Sequence, residues 1–184
     1  MLDFNVAIAN FMRHVLLILL VTIVGFSYGQ TKNSFPFVKF DKVILYDYEP
    51  SGEDPSLVDT NEKIISTVKI KKQIQLDTGS ISKLNIRIVD KRSYGQVTAM
   101  CFEPHLGIVY YLKGKIVRHV LVCMTCNVLR ADIDITAQHQ NKQGPAEKPY
   151  YLGDGMSKSF RNFLNLLLVK YNLSHQIKRR SAFD

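Results

Sequence analysis

CFEPHLGIVYYLKGKIVRHVLVCMTC, residues 101–126, decides the fold. It holds all three cysteines of the chain and two of its five histidines. Gly107–Leu112 is apolar, with β-branched and aromatic residues, and so is Ile116–Val122. Lys113-Gly114-Lys115 separates them, a short glycine-containing break of the kind that closes a β-hairpin. Register follows from the loop. A three-residue loop sets His105 opposite Cys123 and Cys101 opposite Asn127, beside Cys126. A two-residue loop shifts the pairing by one and sets Cys101 opposite Cys126. In both cases Cys101, His105, Cys123 and Cys126 gather at the open end of one hairpin.

Outward from the hairpin, the N-terminal segment stands apart. Val15–Phe26 is apolar except for Thr22 and Gly25, and Ser27-Tyr28-Gly29 puts small residues at the first and third positions before Gln30. That is the layout of a secretory signal peptide cleaved after Gly29. The apolar run is short for a membrane span, which takes roughly 20 residues. The expectation is residues 1–29 as signal peptide and residues 30–184 as a single exported domain, periplasmic or secreted. Removing 29 of the 184 residues leaves 155, enough for one sizeable core. The net charge of +8 is diffuse apart from Lys178-Arg179-Arg180, and no basic helix carries interleaved aromatics. No nucleic-acid partner is expected, and a membrane only through the signal segment.

The remaining elements point to an α+β domain. Gln30–Pro36 reads as a polar, mobile start. A strand is expected from Lys42 to Tyr48, and Glu49–Asp59, with Pro50, Gly52 and Pro55, is a loop. Lys63–Leu76 reads as a strand or strand pair, and Asp77–Ser80 as a turn. Ile81–Lys91 fits both a helix capped by Ser80 or Ser82 and an alternating strand; the basic end and Gly95 favour helix. Val97–Met100 and Asn127–Thr136 read as short strands, and Ala137–Pro149 as a loop. Ser157 caps a helix that places Phe160, Phe163, Leu164, Leu167, Leu168 and Tyr171 on one stripe. The expected architecture is an antiparallel sheet with a central hairpin, covered by this C-terminal amphipathic helix.

Three readings of the hairpin end stay open. The first is a metal site of Cys101, His105, Cys123 and Cys126. Zinc takes four ligands, usually thiolates and neutral imidazoles, and Cys-x-x-Cys forms a tight knuckle with both sulfurs on one ion. Copper(I), which favours sulfur, is a variant. The second is a reversible dithiol at Cys123 and Cys126, with Cys101 as resolving thiol. The third is one structural disulfide with the odd cysteine buried. As a binding module the domain needs no turnover; as an enzyme it is a thiol oxidoreductase. A Cys101–His105 nucleophile pair lacks an oxyanion stabiliser. His119 lies roughly 13 Å along the strand from Cys123 and reads as a sheet-face histidine. His139 and His175 have no partner at a recognisable spacing.

The stretch resembles an uncharacterised group of small exported bacterial proteins. The residues that carry the likeness are Ser93-Tyr94-Gly95, Cys101–Pro104 (Cys-Phe-x-Pro), Gly107–Val109, Gly114–Val117 and Cys123–Asn127 (Cys-x-x-Cys-Asn). They cover about a fifth of the chain. The resemblance implies export and no established activity.

Overall fold

The structure is a computed structural model, and it describes residues 35–36, 38–51, 55–99, 101–139, 142–143, 150–151 and 154–176. The expected signal segment and the Lys178–Arg180 cluster lie outside these residues. The fold is α+β. Strands β1 (Lys42–Glu49), β2 (Lys69–Gln75), β4 (Leu106–Leu112), β5 (Lys115–Cys123) and β6 (Val128–Ala131) form an antiparallel sheet in the order β2-β1-β4-β5-β6. Helices α1 (Thr78–Val89) and α2 (Lys158–Lys170) complete the core. Short strands β3 (Tyr94–Gln96) and β9 (Gly155–Met156) pair with each other, as do β7 (Lys142–Gln143) and β8 (Tyr150–Tyr151).

The hairpin combines both expected registers. Lys113 and Gly114 both have positive φ, 51° and 80°, which makes a two-residue turn matched to the twist of the strands. Leu112 therefore faces Lys115. A bulge follows at once: Tyr111 faces Ile116 but Tyr110 faces Arg118, so Val117 is the extra residue. Beyond the bulge, Leu106 faces Val122, the register of a three-residue loop.

Both sheet faces are covered, which is why the hairpin strands β4 and β5 read as nearly continuous apolar runs. On one face Val43, Leu45, Ile108, Tyr110, Val120 and Val122 pack with Leu84 and Ile88 of α1 and Phe160, Leu164 and Leu168 of α2. On the other, Tyr46, Tyr48, Val109 and Leu121 pack with Leu57, Val58 and Val68 from the β1–β2 connection. Gly107 admits that connection, since a Cβ there would sit 2.2 Å from a Leu57 methyl.

Several expectations shift. Asp77, not Ser80 or Ser82, caps α1, accepting the Ser80 N–H at 2.8 Å, so the presumed turn is the helix start. Ser157 caps α2 as expected, with its oxygen 3.3 Å from the Phe160 nitrogen. Strand β2 begins at Lys69; of the preceding stretch, Ile64 makes an isolated bridge to Val58. Residues 97–99 are not strand; β3 precedes them. Phe35 is not part of a mobile start: it is 2% exposed and packs edge-on against Tyr110, with ring centroids 5.4 Å apart.

Candidate metal centre

Two groups of chemically active side chains form near the open end of the hairpin. The first is the cysteine corner. Cys101 and Cys126 are joined in a disulfide, with Cα atoms 5.8 Å apart, and Cys123 is free and buried. Strand register is not what unites them. Residues 97–99 run beside the turn after β5: the Ala99 N–H donates to the Cys126 carbonyl at 2.9 Å, and the Asn127 side-chain amide donates to the Val97 carbonyl at 2.9 Å. Asn127 adopts φ 58° and is fully buried. Gly155 closes the corner, because a Cβ there would lie 2.5 Å from Asn127 Nδ2 and 2.7 Å from the Val97 oxygen. The Cys126 N–H donates to Cys123 Sγ at 3.3 Å, a turn that holds the free thiol beside the disulfide.

This rearranges the expected ligand set. Cys101, Cys123 and Cys126 come together, but two of the sulfurs are bonded to each other. A disulfide sulfur lacks the thiolate charge that zinc takes. His105, the fourth expected member, turns to different partners. Among the described residues, the one group of three His, Cys, Asp or Glu side chains with ligand atoms within 4.8 Å of one another is Glu49, His105 and His175.

This second group starts from the alternation of β1. Val43 and Leu45 face the helices, and period two carries Asp47 to the next core-facing position, where it is 2% exposed. Such a carboxylate needs donors, and the end of α2 supplies them. Asn172 takes φ 51°, Leu173 N–H donates to the Leu168 carbonyl at 2.9 Å and Asn172 N–H to the Val169 carbonyl at 3.0 Å. These are the paired bonds of a Schellman turn. Lys72 Nζ donates to the carbonyls of Tyr171 and Asn172 at 2.8 and 3.2 Å. With Leu173 buried, Ser174 and His175 are delivered onto Asp47. Asp47 accepts the Ser174 backbone N–H, the Ser174 hydroxyl at 2.7 Å and His175 Nδ1–H at 2.7 Å. Burial alone would raise its pKa, but the bonds from Ser174 and His175 outweigh that and hold it below the usual carboxylate range.

The bond to Asp47 orients His175: Nδ1–H donates to the carboxylate, and Nε2 faces Glu49 Oε1, 3.4 Å away. His105 Nδ1 lies 3.1 Å from the Tyr48 carbonyl and 3.2 Å from Glu49 Oε2. The carbonyl accepts only, so this nitrogen is protonated and His105 Nε2 is the open one. The two imidazoles stack, with centroids 4.0 Å apart and planes 12° from parallel. Glu49 also binds the ammonium of Lys71, the residue that the β1–β2 bulge leaves without a partner. That bond, with the positive potential of His105, Lys71 and His175, keeps the Glu49 pKa below the ordinary value against a smaller effect of burial. The carboxylate is thus ionised at neutral pH, the form a metal requires.

The other histidines do not join. His119 sits on β5 with Nδ1 3.9 Å from Asp132 and is held neutral chiefly by burial, as expected of a sheet-face residue. His139 pairs with Asp134 at 3.1 Å. His175 is the residue the sequence reading missed. Two signals pointed to it: a polar residue, Asp47, at a core-facing position of a strand, and Asn172-Leu173 as a turn sending the chain back.

No family model matches the chain, and no curated protein or solved structure shows significant similarity to it.

Proposed function

We propose that this protein is an exported, disulfide-stabilised domain that binds a divalent metal ion, zinc in the first instance and copper as the variant, through Glu49, His105 and His175. Two imidazoles and a carboxylate are ligands that zinc accepts, and three protein ligands leave a fourth position open to water or a ligand. The carrying observation is the line Asp47–His175–Glu49. A buried carboxylate orients the imidazole through Nδ1–H, and the free Nε2 faces a second carboxylate at 3.4 Å. Two acceptors so placed call for a positive charge between them. A carboxylate behind a histidine is also the usual second support of a metal-bound imidazole. Zinc–ligand bonds of 2.0–2.1 Å in a tetrahedron put neighbouring ligand atoms about 3.3 Å apart. The three ligand atoms lie within 4.8 Å of one another, so zinc binding requires the side chains to draw together, His105 to turn from the Tyr48 carbonyl and Lys71 to give up one Glu49 oxygen.

The alternative reading is an interaction domain in which the disulfide is purely structural and His175 carries a proton between Asp47 and Glu49. The Cys101–Cys126 bond favours its first half. That bond also suits an oxidising compartment. Periplasmic or secreted localisation, and kinship with the exported group that shares the Cys-Phe-x-Pro and Cys-x-x-Cys-Asn segments, are part of the proposal. Metal analysis with a thiol count on protein purified without reductant tests it. The metal reading expects one zinc or copper ion and one free thiol per chain. One free thiol and no uptake of either metal would leave the proton-bridged reading.

A further inference from the structure

We propose that the free edge of β6 is a docking slot for an extended peptide that carries basic side chains. A cavity of about 1130 Å³ lies between this edge with the loop that follows it and the segment Gly95–Ala99. Among the described residues, the sheet order leaves β6 unpaired on its outer side. Its backbone phase is fixed by two bonds. The Asp132 N–H donates inward to the His119 carbonyl at 3.2 Å, and the Leu129 carbonyl accepts the Gln138 side-chain amide outward at 2.9 Å. Backbone groups alternate along a strand, so Leu129 and Ala131 both direct N–H and C=O away from β5. Beyond the Gln138 bond, these outward groups have no partner among the described residues. Unpaired edge groups of this kind receive an added strand.

The opposite edge makes a useful contrast. Strand β2 carries Lys69, Lys71 and Lys72 and is offset by the bulge, features that discourage strand addition. The β6 slot is lined instead by Val97, 71% exposed, and by Phe102 and Ile133. Of its three carboxylates, two are paired within the domain, and Asp154 sets the charge of the occupant. Asp132 pairs with Arg118 at 3.0 Å, and Asp134 with His139 at 3.1 Å. Asp154 Oδ2 is shielded and has no hydrogen-bond partner among the described residues. A shielded carboxylate oxygen without a donor is costly, and a lysine or arginine of the occupant would supply one. The slot's own Arg130 is engaged over the Phe102 ring at 4.0 Å.

The probe is a fluorescent, end-capped peptide of alternating valine and lysine, compared with its valine–glutamate counterpart by anisotropy. The lysine peptide is expected to bind at least tenfold more tightly. Ala131→Pro removes an outward N–H without touching the β5 ladder, and proline is tolerated on such an edge. It should weaken binding at least tenfold with a near-native melting curve, and Asp154→Asn should reduce the preference for lysine. If Ala131→Pro fails to fold, lysine peptides N-methylated on alternate residues replace it: one phase of methylation should abolish binding and the other spare it. Equal binding of the two charge forms, binding unaffected by Ala131→Pro or by either methylation phase, or no binding of the lysine peptide overturns the proposal. So does self-association of the wild type that Ala131→Pro abolishes, which would assign the edge to a second copy.

Discussion

The cysteine corner and the histidine–carboxylate cluster serve the same end of the hairpin by opposite means. The corner is covalent, with Cys123 and Cys126 buried, and its cysteines lie no more than 25 apart in sequence. The cluster is non-covalent and half-exposed, and it joins β1, the start of β4 and the tail of α2, with Asp47 and His175 separated by 128 positions. The corner has used its sulfurs on itself, leaving one thiol with nothing to ligate. The cluster sets two imidazoles and a carboxylate against one another. Chemical distinctiveness in the sequence and chemical availability in the fold are therefore different things: the cysteines are conspicuous and committed, the histidines inconspicuous and open.

The largest expected effect separates the two regions by stability. Replacing Cys101 and Cys126 together by serine frees a loop with a sequence separation of 25 and should lower unfolding free energy by about 3 kcal/mol, read by urea denaturation. Zinc affinity should be unchanged in that variant if the cluster is the metal site. Next is Asp47→Ala, which strands the Ser174 and His175 donors and should cost about 2 kcal/mol in the same assay. The isosteric Asp47→Asn sharpens the comparison, because it perturbs the support of His175 and not the disulfide. A loss of roughly 10–100-fold in zinc affinity is expected, measured by competition with a chelator. Ser157→Ala unties the far end of α2 and should cost about 1 kcal/mol with zinc affinity unaltered.

The smallest effect lies in pH. His119 is held neutral by burial, with Asp132 and Glu62 opposing and Arg118 assisting. Its folded pKa is below the unfolded value near 6.5, so the unfolded chain binds the proton more readily. Its contribution to stability is full above that value and declines as pH falls below it. His119→Gln should flatten the stability profile between about pH 6.5 and 5; an unchanged slope would place the acid sensitivity elsewhere.

Much of the fold was legible because it rests on local pattern. The β4–β5 hairpin announced itself by two apolar runs around Lys113-Gly114, and α2 by a serine cap and a stripe at helical spacing. The α1 segment was less clear because Leu84, Ile86 and Ile88 also alternate; the outcome turned on Asp77, whose carboxylate binds the Ser80 N–H, Lys170 Nζ and Tyr171 OH. Of the candidate site, the sequence placed the three cysteines at one end of the hairpin, although the contacts of residues 97–99 with the turn after β5, and not strand register, bring them together, and their pairing was one of the open readings. His105 was expected beside the cysteines, and the structure sets it against Glu49 and His175 instead. Glu49, Asp47 and His175 were not visible as a group, since spacing carries no information about residues brought together by a helix end folding back on a sheet.

Under the proposed function, the histidine–carboxylate cluster, and not the cysteine corner, holds the metal. Calorimetric titration of non-reduced protein with zinc tests it most directly, using the wild type, His175→Ala and Cys123→Ser. The prediction is one zinc ion per chain in the wild type and in Cys123→Ser, and affinity reduced at least a hundredfold in His175→Ala. Full binding by His175→Ala together with loss in Cys123→Ser, or no binding by the wild type, would contradict it.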